Sequence, residues 1–239
     1  MTLPDDQRSQ LMALCSSLEQ QLADNLQSLV LYGSSVRNDF TRSSSDINLM
    51  IVLKESTAAA QRSIATVIDA SPLKVSPLVL SSSASERSMQ MFALKFSDIA
   101  RRDELLYGPD PFASFTVDIS RRRFLLEQSL RNSLLRLSNI YIRSQQEPQR
   151  YIRAVRSNVP RIFADLAEIL RLDGSEVPDE RELQIPLFAR ELKLDPELLQ
   201  ALLRIRSETS LPVDIHVLHG QLLSVLEQNL DWMARAWEL

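Results

Sequence analysis

Leu11, Leu14, Leu18 and Leu22 recur at the helical period and predict a helix over residues 7–25. Two short apolar runs follow, Leu26 to Tyr32 and Ile47 to Leu53, with a polar, serine-rich span between them. Runs of that length bounded by turn residues predict strands. Residues 57–70, rich in Ala and Ile, predict a second helix, which Ser71-Pro72 ends. Residues 74–80 predict a third strand, and Pro77 confines it to a sheet edge because proline cannot donate to a ladder. Residues 81–88 (SSSASERS) read as a loop or short helix. The alternation in Met91 to Ile99 (MFALKFSDI) predicts a fourth strand. Leu105-Leu106-Tyr107 is a short apolar stretch, and Gly108-Pro109-Asp110-Pro111 is a hard break.

Beyond that break the pattern is helical. Leu126, Leu130, Leu134, Leu137 and Tyr141 form a stripe on a helix that Asp118 can cap. A second helical stretch covers residues 148–172, interrupted or restarted at Pro160 and closed by Asp173-Gly174. Pro178-Asp179 with Glu182 opens another segment, which Pro186 is expected to split into two short helices. Asp195-Pro196-Glu197 starts the next, and a last helix extends from near Pro212 to Trp237. The predicted class is α+β. A small mixed sheet with helices on one side occupies residues 1–112, and an antiparallel all-α bundle occupies residues 113–239.

Composition narrows the function classes. The longest apolar runs fall far short of the ~20 residues of a membrane helix. The acidic N-terminus (MTLPDDQRSQLM) does not read as a signal peptide, so the expected location is the cytoplasm. A single cysteine, Cys15, excludes an internal disulfide and a multi-cysteine zinc site, and its spacing with Leu11, Leu18 and Leu22 reads as a buried thiol. Net charge is −4, which argues against nucleic acid as a partner. Charge is uneven: residues 101–171 carry 13 basic and 8 acidic side chains, residues 172–239 carry 6 and 13. Such asymmetry suits an anionic ligand or contact between the halves of a homodimer, although solvated helix faces are the commoner explanation. His216 and His219 form an H-x-x-H pair able to bind metal on one helix face, but no third ligand stands beside them. Arg121, Arg122 and Arg123 cannot all share a helix face, so they read as a solvated or dimer-contact surface.

The most informative stretch is Leu31 to Leu53, LYGSSVRNDFTRSSSDINLMIVL. A strand stops at Gly33-Ser34-Ser35, and after the polar span Asp46 opens the next strand with Asn48 two residues on. Glycine admits close approach of a phosphate to the backbone, and hydroxyls beside it suit anions. Residues 46 and 48 share one face of a strand.

This arrangement resembles the signature of the DNA polymerase β-like nucleotidyltransferase superfamily, of the minimal and kanamycin-nucleotidyltransferase types. There a Gly-Ser pair precedes Asp-x-Asp or Asp-x-Glu at a strand start, and a helical bundle follows the small α/β domain. The resemblance implies a nucleoside triphosphate held by Gly33, Ser34 and Ser35, and Mg²⁺ on Asp46. The second carboxylate position is Asn48, and a neutral oxygen does little to offset a metal's charge. The family's third acid lies on a following strand; with Met91 to Ile99 as that strand, the residue in its place is Lys95. A lysine facing Asp46 would exchange a dication for an ammonium. The expectation is therefore a catalytically impaired member acting as a nucleotide- or partner-binding module. Two alternatives stay open: an active Mg²⁺-dependent transferase acting on a small-molecule or protein hydroxyl, and a structural homodimer whose cleft is unused.

Overall fold

The computed structural model describes residues 3–36, 46–207 and 214–237. The polar span 37–45 and the region of Pro212 lie outside the described residues. The chain divides into two compact units, Met1–Asp118 and Ile119–Leu239. The division falls past residue 112 because Phe112 and Phe115 still pack against the sheet of the first unit.

In the first unit, α1 (Asp5–Leu22) begins with two acids, favourable at the positive end of a helix. It leads into β1 (Leu26–Tyr32), a 3₁₀ turn (Gly33–Ser35) and, after the undescribed span, β2 (Ile47–Leu53). The helix α2 (Ala58–Asp69) is capped by Thr57, whose hydroxyl accepts from the Ala60 amide at 3.2 Å. Then come β3 (Val75–Ser81), α3 (Ser82–Met91), α4 (Ala93–Arg101) and β4 (Asp103–Tyr107).

The sheet order is β3-β2-β1-β4. β1 is antiparallel to both β2 and β4, and β2 is parallel to β3, so the sheet is mixed. β1 and β2 are central and buried on both faces, which explains their nearly continuous apolar sequence. β3 is an edge strand, the position Pro77 tolerates.

Alternate residues of the central strands feed two cores. Leu29, Leu31, Leu49, Ile51 and Leu53 join Leu11, Leu14, Leu18 and Leu22 of α1 and Ala60 and Ile64 of α2. Val30, Met50 and Val52 join Met89 of α3, Phe96 and Ile99 of α4, and Phe112. Helices therefore cover both faces of the sheet, not one. The difference follows from Met91 to Ile99, which is helical rather than a strand: Ala93, Phe96 and Ile99 are its buried positions, spaced three apart. The strand at the β1 edge is instead Asp103–Tyr107. Its end is fixed by Gly108, at φ +75°, where a Cβ would fall 1.9 Å from the Gln27 carbonyl oxygen.

The second unit contains α5 (Ile119–Ile142), α6 (Pro148–Leu172), α7 (Arg181–Glu191), α8 (Pro196–Ser207) and α9 (Ile215–Ala236). Neither internal proline ends its helix. α6 continues through Pro160 and α7 through Pro186. An interior proline costs about 3 kcal/mol. Burial of Val159, Ile162 and Phe163 beside Pro160, and of Ile185 and Phe188 beside Pro186, offsets it at roughly 1.5–3 kcal/mol per side chain. Asp214 caps α9 by accepting from the His216 and Val217 amides.

Charges buried between α5 and α6 are paired. Arg122 binds Glu168 through Nε at 3.0 Å and through Nη2, and Ser129 donates to Asp165. Arg161 lies 3.6 Å from Asp165 and donates to Ser129 Oγ. Burial pushes the Asp165 carboxyl up to about 6.

Candidate functional site

The end of the sheet formed by Tyr32, Asn48 and Asp103 is built by strand register. Tyr32 of β1 stands opposite Asn48 of β2 on one side and Asp103 of β4 on the other. Residues opposite one another across a ladder share a face, so these three form a row on the α3–α4 face of the sheet. Asp46 lies two residues before Asn48, immediately ahead of β2.

Gly33 adopts φ +80°, and a Cβ there would lie 2.8 Å from Asn48 Nδ2. The turn after β1 thus packs its α-carbon directly on the Asn48 carboxamide. Only glycine has both the backbone freedom and the absent side chain that this contact needs. The same turn carries Ser35, whose hydroxyl is buried without a hydrogen-bond partner among the described residues. The side chain of Ser34 lies outside what is described.

Lys74 supplies the cation at Asp46. Its Nζ is 2.7 Å from Asp46 Oδ1. The placement follows from the β2–α2–β3 crossover, which sets β3 beside β2 with Ile47 opposite Val75. The preceding residues, Asp46 and Lys74, therefore neighbour one another, and the Ile47 amide donates to the Lys74 carbonyl at 2.8 Å. The Lys74 side chain is 81% exposed and that of Asp46 40%. An ion pair this exposed contributes at most about 1 kcal/mol, so a ligand can part it at small cost.

Lys95 lies elsewhere than the sequence pattern predicted: it is an exposed residue of α4, not a member of a strand beside β2. The cation beside Asp46 is Lys74, a residue the sequence pattern did not single out.

Asp103 was missed as well. Burial, then the charge of Asp110, raises its pKa. With strands ~4.8 Å apart, its backbone lies about 10 Å from that of Asn48, with Tyr32 between them.

Among the described residues, these donors do not converge as a two-metal centre requires. Such a centre holds two cations about 4 Å apart with carboxylates converging on both. Here Asp46 already carries an ammonium, the position beside it is a neutral amide, and Asp103 stands beyond Tyr32. Among the described residues no group of three or more His, Cys, Asp or Glu is placed to hold a metal ion.

The H-x-x-H pair is engaged by tyrosines. Tyr141 Oη lies 2.7 Å from His216 Nδ1, Tyr151 Oη lies 2.8 Å from His219 Nδ1, and Tyr141 stacks on His219. Burial lowers the His219 pKa. Burial also pushes the Cys15 thiol up to about 11, which makes it inert at neutral pH. Among the described residues no helix is long and apolar enough to cross a membrane.

No family model and no curated protein matches the chain. A solved structure does: spectinomycin adenyltransferase AAD(9) from Enterococcus faecialis, with ATP and spectinomycin. It is 14% identical, with a TM-score of 0.55, and the match covers 92% of this chain and 99% of that one. At this identity the likeness is one of fold, and it extends over nearly the whole of both chains. The chain has a nucleotidyltransferase-like fold.

Proposed function

We propose that this chain binds a nucleotide at the Gly33–Asp46–Asn48 end of its sheet and is impaired in nucleotidyl transfer. The observation that carries the reading is the pairing of an intact frame with a depleted charge set. Gly33 packs on residue 48 and Asp46 stands at the mouth of the same strand, yet Asp46 is the one carboxylate of that pair and Lys74 neutralises it. A frame that, among the described residues, lacks carboxylates for two cations can hold a phosphate chain but lacks the charge stabilisation that transfer needs. The adenyltransferase of similar fold was solved with ATP, which makes ATP the first nucleotide to test.

The test combines calorimetric titration of ATP with release of pyrophosphate from it. The expected result is binding by the wild type, loss of binding in Gly33→Val, and no pyrophosphate release above the buffer rate. Absence of any ATP or GTP binding would overturn the reading.

A second reading, active metal-dependent transfer to a hydroxyl, draws support from Asp103 alone. Its raised pKa and its place on the same sheet face suit a general base. Pyrophosphate release that Asp103→Asn abolishes would favour this reading over the first.

A further inference from the structure

We infer that Lys74 is the resident cation of this site. Its ammonium stands on Asp46 where a metal would otherwise stand, and it passes to the phosphate chain of a nucleoside di- or triphosphate, which binds without a divalent ion. The inference rests on the nucleotide-binding reading and names the ligand chemistry of that site.

Three observations carry it. The first is position: strand register fixes the Lys74 backbone beside Asp46, and the ammonium reaches Oδ1 at 2.7 Å. A divalent ion on that oxygen would have to expel the ammonium or share the space with a like charge. The second is mobility. At 81% exposure, the Lys74 side chain is held by little besides the ion pair, and a lysine stem with several rotatable bonds can swing. A phosphate chain carries more negative charge than one carboxylate, so it draws the ammonium across. The third is the neighbouring turn. Gly33 presents bare backbone against Asn48, and Ser35 holds a buried hydroxyl that lacks a partner among the described residues. Bare backbone at that turn admits the close approach of an anion.

The charges support the same conclusion. Asp46 and Lys74 sum to zero and Asn48 adds nothing, so this part of the site attracts no dication. Once Lys74 leaves Asp46 for a phosphate, the freed carboxylate faces water, to which it is already partly exposed. No bond is made or broken in this exchange.

The experiment uses the full chain with two probes. ATP affinity is measured by calorimetry in EDTA for the wild type and for Lys74→Ala. Mn²⁺ binding without nucleotide is measured by electron paramagnetic resonance for the wild type and for the pair Asn48→Asp with Lys74→Glu. Lys74→Ala should weaken ATP binding in EDTA about tenfold or more, the expected loss of a charge-assisted phosphate contact. The double variant should gain Mn²⁺ affinity by about tenfold or more over the wild type, as the site regains two carboxylates. Melting curves matching the wild type confirm that the variants fold, which the exposure of Lys74 leads one to expect. Equal ATP affinity for wild type and Lys74→Ala would overturn the role of Lys74 while leaving nucleotide binding intact. Tight Mn²⁺ binding by the wild type would overturn it too. Failure of ATP to bind either protein would overturn the nucleotide reading itself, and the transfer of the ammonium with it.

Discussion

The α-carbon of Gly33 lies against the side chain of Asn48: a Cβ at residue 33 would come 2.8 Å from Asn48 Nδ2, at a backbone φ of +80°. Gly33→Ala therefore meets two penalties, left-handed backbone strain and a clash that displaces the carboxamide. The variant should lose about 1–3 kcal/mol of stability in urea denaturation. It should also lose ATP affinity by more than the global destabilisation explains, since the residue that moves is Asn48.

Asp165 makes stability depend on pH. Its folded pKa is raised by burial from 3.8 to about 6. The folded state therefore holds this proton more tightly than the unfolded state. That contribution is fully present below about pH 4 and lost as pH rises through about 6, roughly 3 kcal/mol in all. Urea denaturation at pH 4 and pH 7 should show this fall for the wild type. Asp165→Asn should flatten it; an unchanged slope in the variant would assign the pH dependence to other groups.

Arg122 neutralises Glu168, whose side chain is 8% exposed. Removing the guanidinium strands a buried carboxylate, so Arg122→Ala should destabilise the protein by about 3 kcal/mol, at the low end for broken buried pairs because Arg171 lies 3.9 Å away. Arg122→Ala with Glu168→Leu should recover most of that loss. A double variant as unstable as the single one would show that Arg122 acts through packing rather than charge.

Gly108→Ala should be the most damaging of the small substitutions. The new methyl carbon would stand 1.9 Å from the backbone oxygen of Gln27, which cannot swing aside as a side chain can. Ser28 Oγ, which donates to the Pro109 carbonyl at 2.6 Å, would be displaced with it. Thermal melting of the purified variant, or its failure to accumulate as folded protein, reads this out.

The fold class, the strands on either side of the glycine turn and the helix after β2 were legible from periodicity and from Gly33, Ser71-Pro72 and Pro77. Those signals are local, and each had one physical reading. The strand and helices at the other end of the first unit were not. MFALKFSDI satisfies both a twofold and a helical period, and packing of Phe96 and Ile99 on Val30 and Met50 decides between them. β4 begins with two acids, an unusual strand opening. Glu104 is held there by Arg8 of α1, through Nη1 at 2.7 Å, 96 residues earlier in the chain. Of the candidate site, Gly33, Asp46 and Asn48 could be found from spacing. Lys74 and Asp103 could not, because each reaches the site only through sheet register. The continuity of α6 and α7 through Pro160 and Pro186 belongs with them, since burial of neighbouring side chains outweighs the local rule.

The most direct test is the affinity of the wild-type protein for ATP, measured by calorimetry once with Mg²⁺ and once with EDTA. Binding is expected in both buffers with dissociation constants within about twofold, because an ammonium and not a metal meets the phosphates. ATP binding that appears with Mg²⁺ and vanishes in EDTA would contradict it.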